Sequence, residues 1–253
     1  MAFALVTGAS SGIGREIAIE LSNRGYDLIL AARREDKLLE VSKELRRAAE
    51  IITIDLASEE NCYSLYERCK AKDVEIVVNN AGFGCFGTFC DTDLERENQM
   101  LCVNVRAVHI LTKLFLKDFK EKNSGKILNV ASAAGFMPGG PLLSTYYATK
   151  AYVLSLGRGI SKELKKEKSN VTVSTLCPGP VKTEFSQVAG VEFGSVGMDA
   201  KKVAQIATDA MFDGKTLIIP GILMKAGYFL TKILPTDIIL AFAYKFQKAK
   251  EDR

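Results

Sequence analysis

The chain has 253 residues, of which 47% are hydrophobic and 25% charged, and its formal net charge is +4. These proportions are ordinary for a globular protein with a substantial core. The lysines are spread along the chain, often beside glutamate as at 162–167, which indicates solvated helix faces and argues against nucleic-acid binding.

The six cysteines include no CxxC pair and no zinc-like spacing with His109, the single histidine. We therefore predict reduced thiols in a cytoplasmic protein, with no metal site. No basic segment precedes the apolar run at 3–6, so no signal peptide is expected. No uninterrupted apolar run reaches the roughly 18 residues needed to cross a bilayer. No linker, repeat or low-complexity tract divides the sequence, which predicts one domain over 1–253.

Short apolar runs alternate with longer helical patterns, such as 13–24 and 36–47. Several runs are apolar at consecutive positions, as expected of parallel strands buried on both faces. The alternation predicts an α/β fold with a doubly wound parallel sheet, in which ligands bind beyond the carboxyl ends of the strands. Strands are predicted at 3–7, 27–32, 51–55, 74–79, 126–132, 172–177 and 217–220.

The segment 7–14 joins the first strand to the first helix, and its glycines are spaced GxxxGxG. Glycine lets the backbone turn tightly and approach a ligand, while a helix N-terminus offers unpaired N–H groups and a partial positive charge. No Lys-Ser/Thr pair follows, which disfavours a P-loop nucleotidase. We predict a pyrophosphate site formed by Gly8, Ser10, Ser11, Gly12, Ile13 and Gly14.

The second strand ends at Ala32, and Arg33 and Arg34 follow it. Folds of this kind that are specific for NAD usually carry an acid here, which binds the ribose hydroxyls. A guanidinium pairs well with a phosphate, so the two arginines predict NADP(H) in preference to NAD(H). The alternative is that both are solvated residues at the start of the next helix.

Tyr146 and Lys150 are four residues apart, so on a helix they point the same way. A nearby ammonium favours the phenolate, which would bring the tyrosine pKa down from near 10 and suit it to proton transfer. Ser132, at the end of a predicted strand, would donate to the substrate oxygen. That strand and the glycine loop distinguish this pair from the same spacing at Tyr66/Lys70, Tyr228/Lys232 and Tyr244/Lys248.

Together these features resemble the short-chain dehydrogenase/reductase superfamily in its compact single-domain form. Further marks are Asp55-Leu56, Asn104, and the segments 79–82 and 178–183. The segment 146–150 and the apolar C-terminal part resemble the bacterial DltE-type branch. The resemblance implies a Rossmann-type sheet of seven parallel strands in the order 3-2-1-4-5-6-7, with helices on both faces. It also implies a homodimer or homotetramer formed through the long helices that contain Asn104 and Lys150.

The resemblance further implies hydride transfer between a nicotinamide and a carbonyl or secondary alcohol, with Tyr146 as general acid/base. Lys150 would also bind the nicotinamide ribose, and Asn104 would anchor a water that connects Lys150 to solvent. The remaining cofactor-binding residues it implies are Asp55 and Leu56 near the adenine, Asn80, Ala81 and Gly82 along the cofactor, and Pro178, Gly179, Val181 and Thr183 over the nicotinamide.

One spacing departs from the family. In similar proteins the serine lies thirteen residues before the tyrosine, but here Ala133 holds that position and Ser132 lies fourteen before Tyr146. The sequence Ser-Ala-Ala-Gly at 132–135 still marks Ser132 as the counterpart. The extra residue is therefore expected near Gly139-Gly140.

The residues next to the predicted nicotinamide site are apolar, which favours a hydrophobic carbonyl compound such as a steroid, a fatty-acyl ketone or an aromatic ketone. Some of them could instead pack the core. A second functional class is a catalytically silent NADP(H)-binding sensor or scaffold, which the Ser132/Tyr146/Lys150 set disfavours. The predicted substrate-pocket residues are Phe83, Phe86, Phe136, Met137, Leu142, Leu143 and Phe185.

The segment 217–246 is unusually apolar but is interrupted by Lys225, Lys232, Pro235 and Asp237. We expect a subunit interface or a substrate lid. A helix lying on a membrane surface, as a peripheral contact, and plain core packing are the alternatives.

Overall fold

The computed structural model describes residues 2–185 and 197–249. The strands are β1 (Phe3–Thr7), β2 (Asp27–Ala32), β3 (Ala49–Thr53), β4 (Val74–Asn79), β5 (Lys126–Val130), β6 (Thr172–Leu176), β7 (Val181–Lys182), β8 (Met198–Asp199) and β9 (Leu217–Ile218). Seven of them form a parallel sheet in the order β3-β2-β1-β4-β5-β6-β9, and β7 pairs with β8 in a small parallel ladder. The predicted doubly wound order is confirmed, with β9 as its seventh strand.

The α-helices are α1 (Gly12–Asn23), α2 (Glu35–Ser42), α3 (Glu59–Lys70), α4 (Leu94–Leu101), α5 (Val108–Lys122), α6 (Ser144–Lys166), α7 (Ala200–Phe212), α8 (Ile222–Leu230) and α9 (Thr236–Lys248). A π-helical turn, Cys102–Ala107, joins α4 to α5, and a 3₁₀ turn, Ala133–Phe136, precedes α6. Side-chain caps start several of these helices: Ser58 accepts from Asn61 N, and Asp199 accepts from Lys201 N.

Two apolar layers cover the sheet, because successive strand residues point to opposite faces. On one face Val6, Leu30 and Val78 pack against α1, α2 and α7. On the other face Leu5, Ile29 and Val77 pack against α3, α5 and α6. The burial of both faces explains why the strands are apolar at consecutive positions.

Some element bounds differ from the prediction because tertiary contacts override local preference. The edge strand β3 lies two residues earlier than 51–55, since its pairing with β2 runs from Leu28↔Ala49 to Ala32↔Thr53. Helix α2 ends at Ser42 instead of near 47, because the backbone N–H groups of Arg46 and Arg47 both donate to Ser22 Oγ.

The predicted strand 126–132 ends at Val130, where its ladder with β6 ends at Leu176. The chain then leaves the sheet, and Ser132 caps the 3₁₀ turn by accepting a hydrogen bond from Ala134 N at 3.2 Å. Ser132 therefore lies in the loop beyond the carboxyl edge of the sheet.

One continuous helix, Leu94–Lys122, is long and apolar enough to cross a membrane by length and composition alone, although 44% of its most apolar window is buried. Its apolar side chains, among them Leu111, Phe115 and Phe119, belong to the core beside the sheet. We therefore interpret it as a core helix.

Candidate active site

Four hydrogen bonds connect the loops after β1 and β4 at the carboxyl edge of the sheet. The Thr7 hydroxyl accepts hydrogen bonds from the N–H groups of Asn80 (3.0 Å) and Ala81 (3.1 Å). The Asn80 side-chain amide in turn donates to the carbonyls of Thr7 (3.0 Å) and Gly8 (3.1 Å). These bonds fix the glycine loop against the segment that the sequence assigned to the cofactor.

The glycine loop forms a close-packed cradle in front of α1. Gly8 has a positive φ of 64°, and a Cβ atom there would lie 2.8 Å from Ala81 Cα. A Cβ atom on Gly14 would lie 2.5 Å from the Gly8 carbonyl oxygen. Ser11, the residue before α1, does not cap the helix with its side chain. The first N–H groups of α1 thus lack a side-chain cap from Ser11 at this cradle, where the sequence predicts a pyrophosphate.

Arg34 lies beside this cradle, at the end of β2. Its Nη2 atom donates to the hydroxyls of Ser10 (3.3 Å) and Ser11 (3.1 Å) and to the Glu184 carboxylate (2.7 Å). The bond from Arg34 lowers the pKa of Glu184. Arg33 is exposed next to it. The structure brings Arg34, and not Arg33, to the two serines of the loop.

Ser132 and Tyr146 meet despite the extra residue between them. Tyr146, in the first turn of α6, is only 8% exposed, and its hydroxyl is hydrogen-bonded to the Ser132 side chain. The Gly140 carbonyl accepts from Leu143 N in a turn between them and Gly140 packs against the Tyr147 ring, while the position of the extra residue stays a prediction.

Burial, the largest contribution, raises the pKa of Tyr146 above its usual 10, while the Ser132 hydrogen bond lowers it. The prediction that Lys150 brings this pKa below 10 is wrong for the protein without bound ligand, because burial dominates and the pKa rises. The Lys150 ammonium lies 5.8 Å from the centroid of the Tyr146 ring. The phenol is therefore protonated at neutral pH.

Lys150 is 4% exposed, one helical turn after Tyr146. Its Nζ atom donates to the Val130 carbonyl at 2.9 Å, and a Cβ atom on Gly82 would lie 3.3 Å from it. Burial lowers the pKa of Lys150 to about 8. The lysine thus links the end of β5, the segment after β4 and the tyrosine helix.

Asn104 lies in the π-helical turn, and π-turns within α-helices are frequent at functional sites. Its side chain is fully buried. The amide accepts from Phe83 N (3.1 Å) and donates to Phe83 O (2.9 Å) and Thr149 Oγ1 (3.1 Å). Asn104 therefore ties the loop after β4 to α6, while the water-anchoring role stays a prediction.

The segment after β6 returns to the same edge. Pro178 O accepts from Ala133 N at 2.8 Å, and Val181 begins β7. A Cβ atom on Gly12 would lie 3.0 Å from Thr183 Cγ2, which places Thr183 beside the glycine loop. At the other end of the site, Asp55 Oδ1 accepts from Ala57 N at 3.0 Å and Leu56 is 6% exposed.

Most of the predicted pocket residues surround Tyr146. The Phe185 ring lies 5.4 Å from the Tyr146 ring, and Phe83, Phe86 and Leu143 belong to the same apolar cluster. Phe136 instead packs against Tyr228 of α8, with ring centroids 5.2 Å apart. Leu142 is buried with a positive φ of 66°, and Met137 is partly exposed.

Several contacts at the site have no sequence signal, because the partners are far apart in the chain. They are Arg34 with Glu184, Gly179 with Met224 of α8, and Tyr147 with Gln247 of α9. Cys177 is fully buried next to Lys150 and Tyr146, and burial raises the pKa of its thiol to about 12. An inert thiol is expected there.

The three other Tyr/Lys spacings lie on α3, α8 and α9. Tyr66 is buried and donates to Asp118, whereas Tyr228 and Tyr244 lie under the ammonium groups of Lys232 and Lys248. Within 2–185 and 197–249, no three His, Cys, Asp or Glu side chains cluster as metal ligands would.

The site matches known proteins of one kind. A family model described as short chain dehydrogenase matches residues 2–191. An uncharacterized oxidoreductase of Staphylococcus saprophyticus is 34% identical over 216 residues, covering 82% of this chain and 90% of that protein. A very-long-chain 3-oxoacyl-CoA reductase of Anas platyrhynchos is 30% identical over 259 residues, covering 98% and 80%. A short-chain dehydrogenase from Sphingobium yanoikuyae, solved in complex with NADPH, is 28% identical with a TM-score of 0.82, covering 93% and 97%.

Proposed function

The chain belongs to the short-chain dehydrogenase/reductase family and is an oxidoreductase of CH–OH and C=O groups, and we propose that it uses NADP(H) to reduce the carbonyl of a hydrophobic substrate. The observation that carries the proposal is the convergence of Ser132, Tyr146 and Lys150 beside the glycine cradle.

Tyr146 is the proposed general acid. When bound, a nicotinamide cofactor supplies or accepts the hydride. Because burial keeps the phenol protonated, Tyr146 holds the proton that a forming alkoxide requires in the reduction. Ser132 orients the phenol through their hydrogen bond and directs its hydroxyl toward the substrate oxygen. Lys150, with a pKa of about 8, changes charge near neutral pH and can exchange a proton in this region.

The cofactor preference is proposed from the contacts of Arg34. The cradle around Gly8 and Gly14 would hold a pyrophosphate, and Arg34 with the hydroxyls of Ser10 and Ser11 would hold a 2′-phosphate. The similar structure from Sphingobium yanoikuyae contains NADPH, which supports this choice.

The substrate class is proposed from the apolar side chains at Tyr146. Phe83, Leu143 and Phe185 surround the phenol and offer no charged partner to a polar substrate. Relatives covering nearly the whole chain are named very-long-chain 3-oxoacyl-CoA reductases, so fatty-acyl 3-ketones lead the proposal, ahead of steroids and aromatic ketones.

A homodimer or homotetramer is proposed through the outer faces of α4, α5 and α6. A shallow depression of about 420 Å³ lies there between α4 and α6, and Phe89, Leu94 and Leu101 line it with large exposed apolar side chains. Leu101→Glu would shift the protein to a smaller species in size-exclusion chromatography. We also propose a cytoplasmic location, because all six cysteines are free thiols.

The test is the fall in NADPH absorbance over a panel of 3-oxoacyl thioesters, steroids and aromatic ketones, run beside a fluorescence titration of NADPH binding. Turnover of at least one hydrophobic ketone supports the reductase. Binding of NADPH without turnover across the panel would instead support the sensor or scaffold.

A further inference from the structure

The C-terminal helices carry most of the exposed apolar surface of the described chain. Ten of the sixteen large apolar side chains that are exposed in the described part belong to 222–246, so core packing alone does not account for this segment. We name this surface the C-terminal apolar face. It consists of Ile222, Leu223, Phe229, Leu230, Ile233, Leu234, Ile238, Phe242, Tyr244 and Phe246.

Each of the two helices turns one side to the protein and an apolar side outward. On α9, Ile239, Ala243 and Gln247 are buried at four-residue spacing. Ile238 and Phe242, one position earlier on each turn, are 56% and 71% exposed. A soluble surface helix normally carries mainly polar residues on its outward side, whereas α9 also exposes large apolar residues there.

Helix α8 is similar. Met224 lies against Gly179 and Tyr228 lies against Phe136, whereas Leu223 and Phe229 point outward at 76% and 62% exposure. No residue of α8 is buried. The outward sides of both helices therefore expose large apolar side chains to water, with only a few charged residues among them.

The charges around this face are mainly positive. Four exposed lysines, Lys225, Lys232, Lys245 and Lys248, accompany a single acid, Asp237. None of these lysines forms an ion pair with a described residue. Lys232 and Lys248 instead extend over the rings of Tyr228 and Tyr244. Lysine and tyrosine beside an apolar stripe are typical of helices at the level of lipid headgroups.

We propose that α8 and α9 form a docking surface for an anionic lipid bilayer and lie in its plane. With 9 and 13 residues, the helices are too short to span a membrane, which takes about 20 residues. A second copy of this chain is a poorer occupant, because a two-fold contact would bring the same lysines together. Anionic headgroups neutralise them.

Docking has a consequence for substrate access, which rests on the proposed function, whereas docking itself does not. Both helices pack on loops of the candidate site. A Cβ atom on Gly139 would lie 3.1 Å from Leu240 of α9, and Met224 of α8 contacts Gly179. A bilayer at this face would lie next to the loops that carry Gly139 and Gly179, so a long-chain ketone could reach the site from lipid.

The experiment is flotation of the full chain with vesicles of phosphatidylcholine, with or without phosphatidylglycerol. The wild type should float with the anionic vesicles and detach in high salt. The double variant Phe229→Glu/Phe242→Glu should bind the vesicles at least ~100-fold more weakly, because each substitution removes a phenyl ring that would be buried in the bilayer. Lys245→Gln/Lys248→Gln should bind about 30-fold more weakly to anionic vesicles alone.

The matched control is Leu39→Glu/Tyr63→Glu, which adds the same charges at exposed apolar positions on α2 and α3. It should float like the wild type. The proposal would be overturned if the wild type did not float with the anionic vesicles. It would also be overturned if the Phe229→Glu/Phe242→Glu variant floated as well as the wild type. A smaller oligomer in that variant, without vesicle binding by the wild type, would identify a subunit interface instead. NADPH turnover in detergent, measured on all variants, separates failure of docking from failure of the reductase.

Discussion

Arg34 donates a 2.7 Å hydrogen bond to the Glu184 carboxylate, which lies 150 residues away in the sequence. Arg34 also contacts the two serine hydroxyls of the glycine loop. We assign this guanidinium to the 2′-phosphate of the cofactor, so the Glu184 carboxylate would compete with that phosphate for Arg34. Both side chains are more than two-fifths exposed, and such pairs contribute less than about 1 kcal/mol. A phosphate can therefore displace Glu184 from Arg34 at small cost.

Glu184→Gln should lower the KM for NADPH about two- to five-fold, because the competing carboxylate is lost. The KM for NADH should change little. Glu40→Gln removes an exposed acid on α2 and serves as the control for net charge. An equal fall in both KM values, or a fall in the control, would contradict direct competition at Arg34.

Arg34→Ala should raise the KM for NADPH about tenfold or more, because a charge-assisted bond to phosphate is lost. Arg33→Ala should raise it less, since Arg33 is exposed beside the site and Arg34 holds the contacts to the loop. Steady-state kinetics with both cofactors test this. If the wild-type kcat/KM with NADH equals or exceeds the value with NADPH, the proposed preference for NADP(H) is wrong.

Tyr146→Phe should reduce kcat by about 10²–10⁴-fold while leaving NADPH binding nearly intact, because the ring stays and only the proton donor is lost. The adjacent Tyr147→Phe is the control. It loses the 2.8 Å bond from Gln247, at about 1 kcal/mol of stability, but keeps the Tyr146 phenol. Near-wild-type turnover in Tyr146→Phe would exclude its role as general acid.

Lys150 should make stability depend on pH. Its pKa falls from 10.5 in the unfolded chain to about 8 in the folded protein, so the unfolded chain binds more protons between these values. Stability from this residue is therefore lowest below pH 8 and rises with pH. The free energy of unfolding of the wild type, relative to Lys150→Met, should increase by about 1 kcal/mol between pH 7 and pH 9.

Urea unfolding of both proteins at the two pH values measures this difference, and other titrating groups cancel in the comparison. Lys162→Met, on the exposed side of the same helix, is the control. A pH-independent difference between wild type and Lys150→Met would show that the buried ammonium keeps its ordinary pKa.

The sequence predicted the sheet well where burial is two-sided. The bounds of β1 and β4 agree with the apolar runs at 3–7 and 74–79, because a buried strand must be apolar throughout its length. The predicted bounds of the edge strand β3 were wrong by two residues, because pairing with β2 set them. Predicted site residues also converged, since consecutive strand ends of a parallel sheet share one edge.

What the sequence determined by itself is the chemistry available: a glycine loop, two arginines, a serine, a tyrosine and a lysine, and an apolar C-terminal segment. Only the tertiary structure decided how these are used. It paired Arg34 with Glu184, buried Lys150 so that its pKa fell, and turned Ile238 and Phe242 outward while Ile239 and Ala243 faced the protein. Such outcomes depend on distance in space and on desolvation, and neither can be read from the order of residues along a chain.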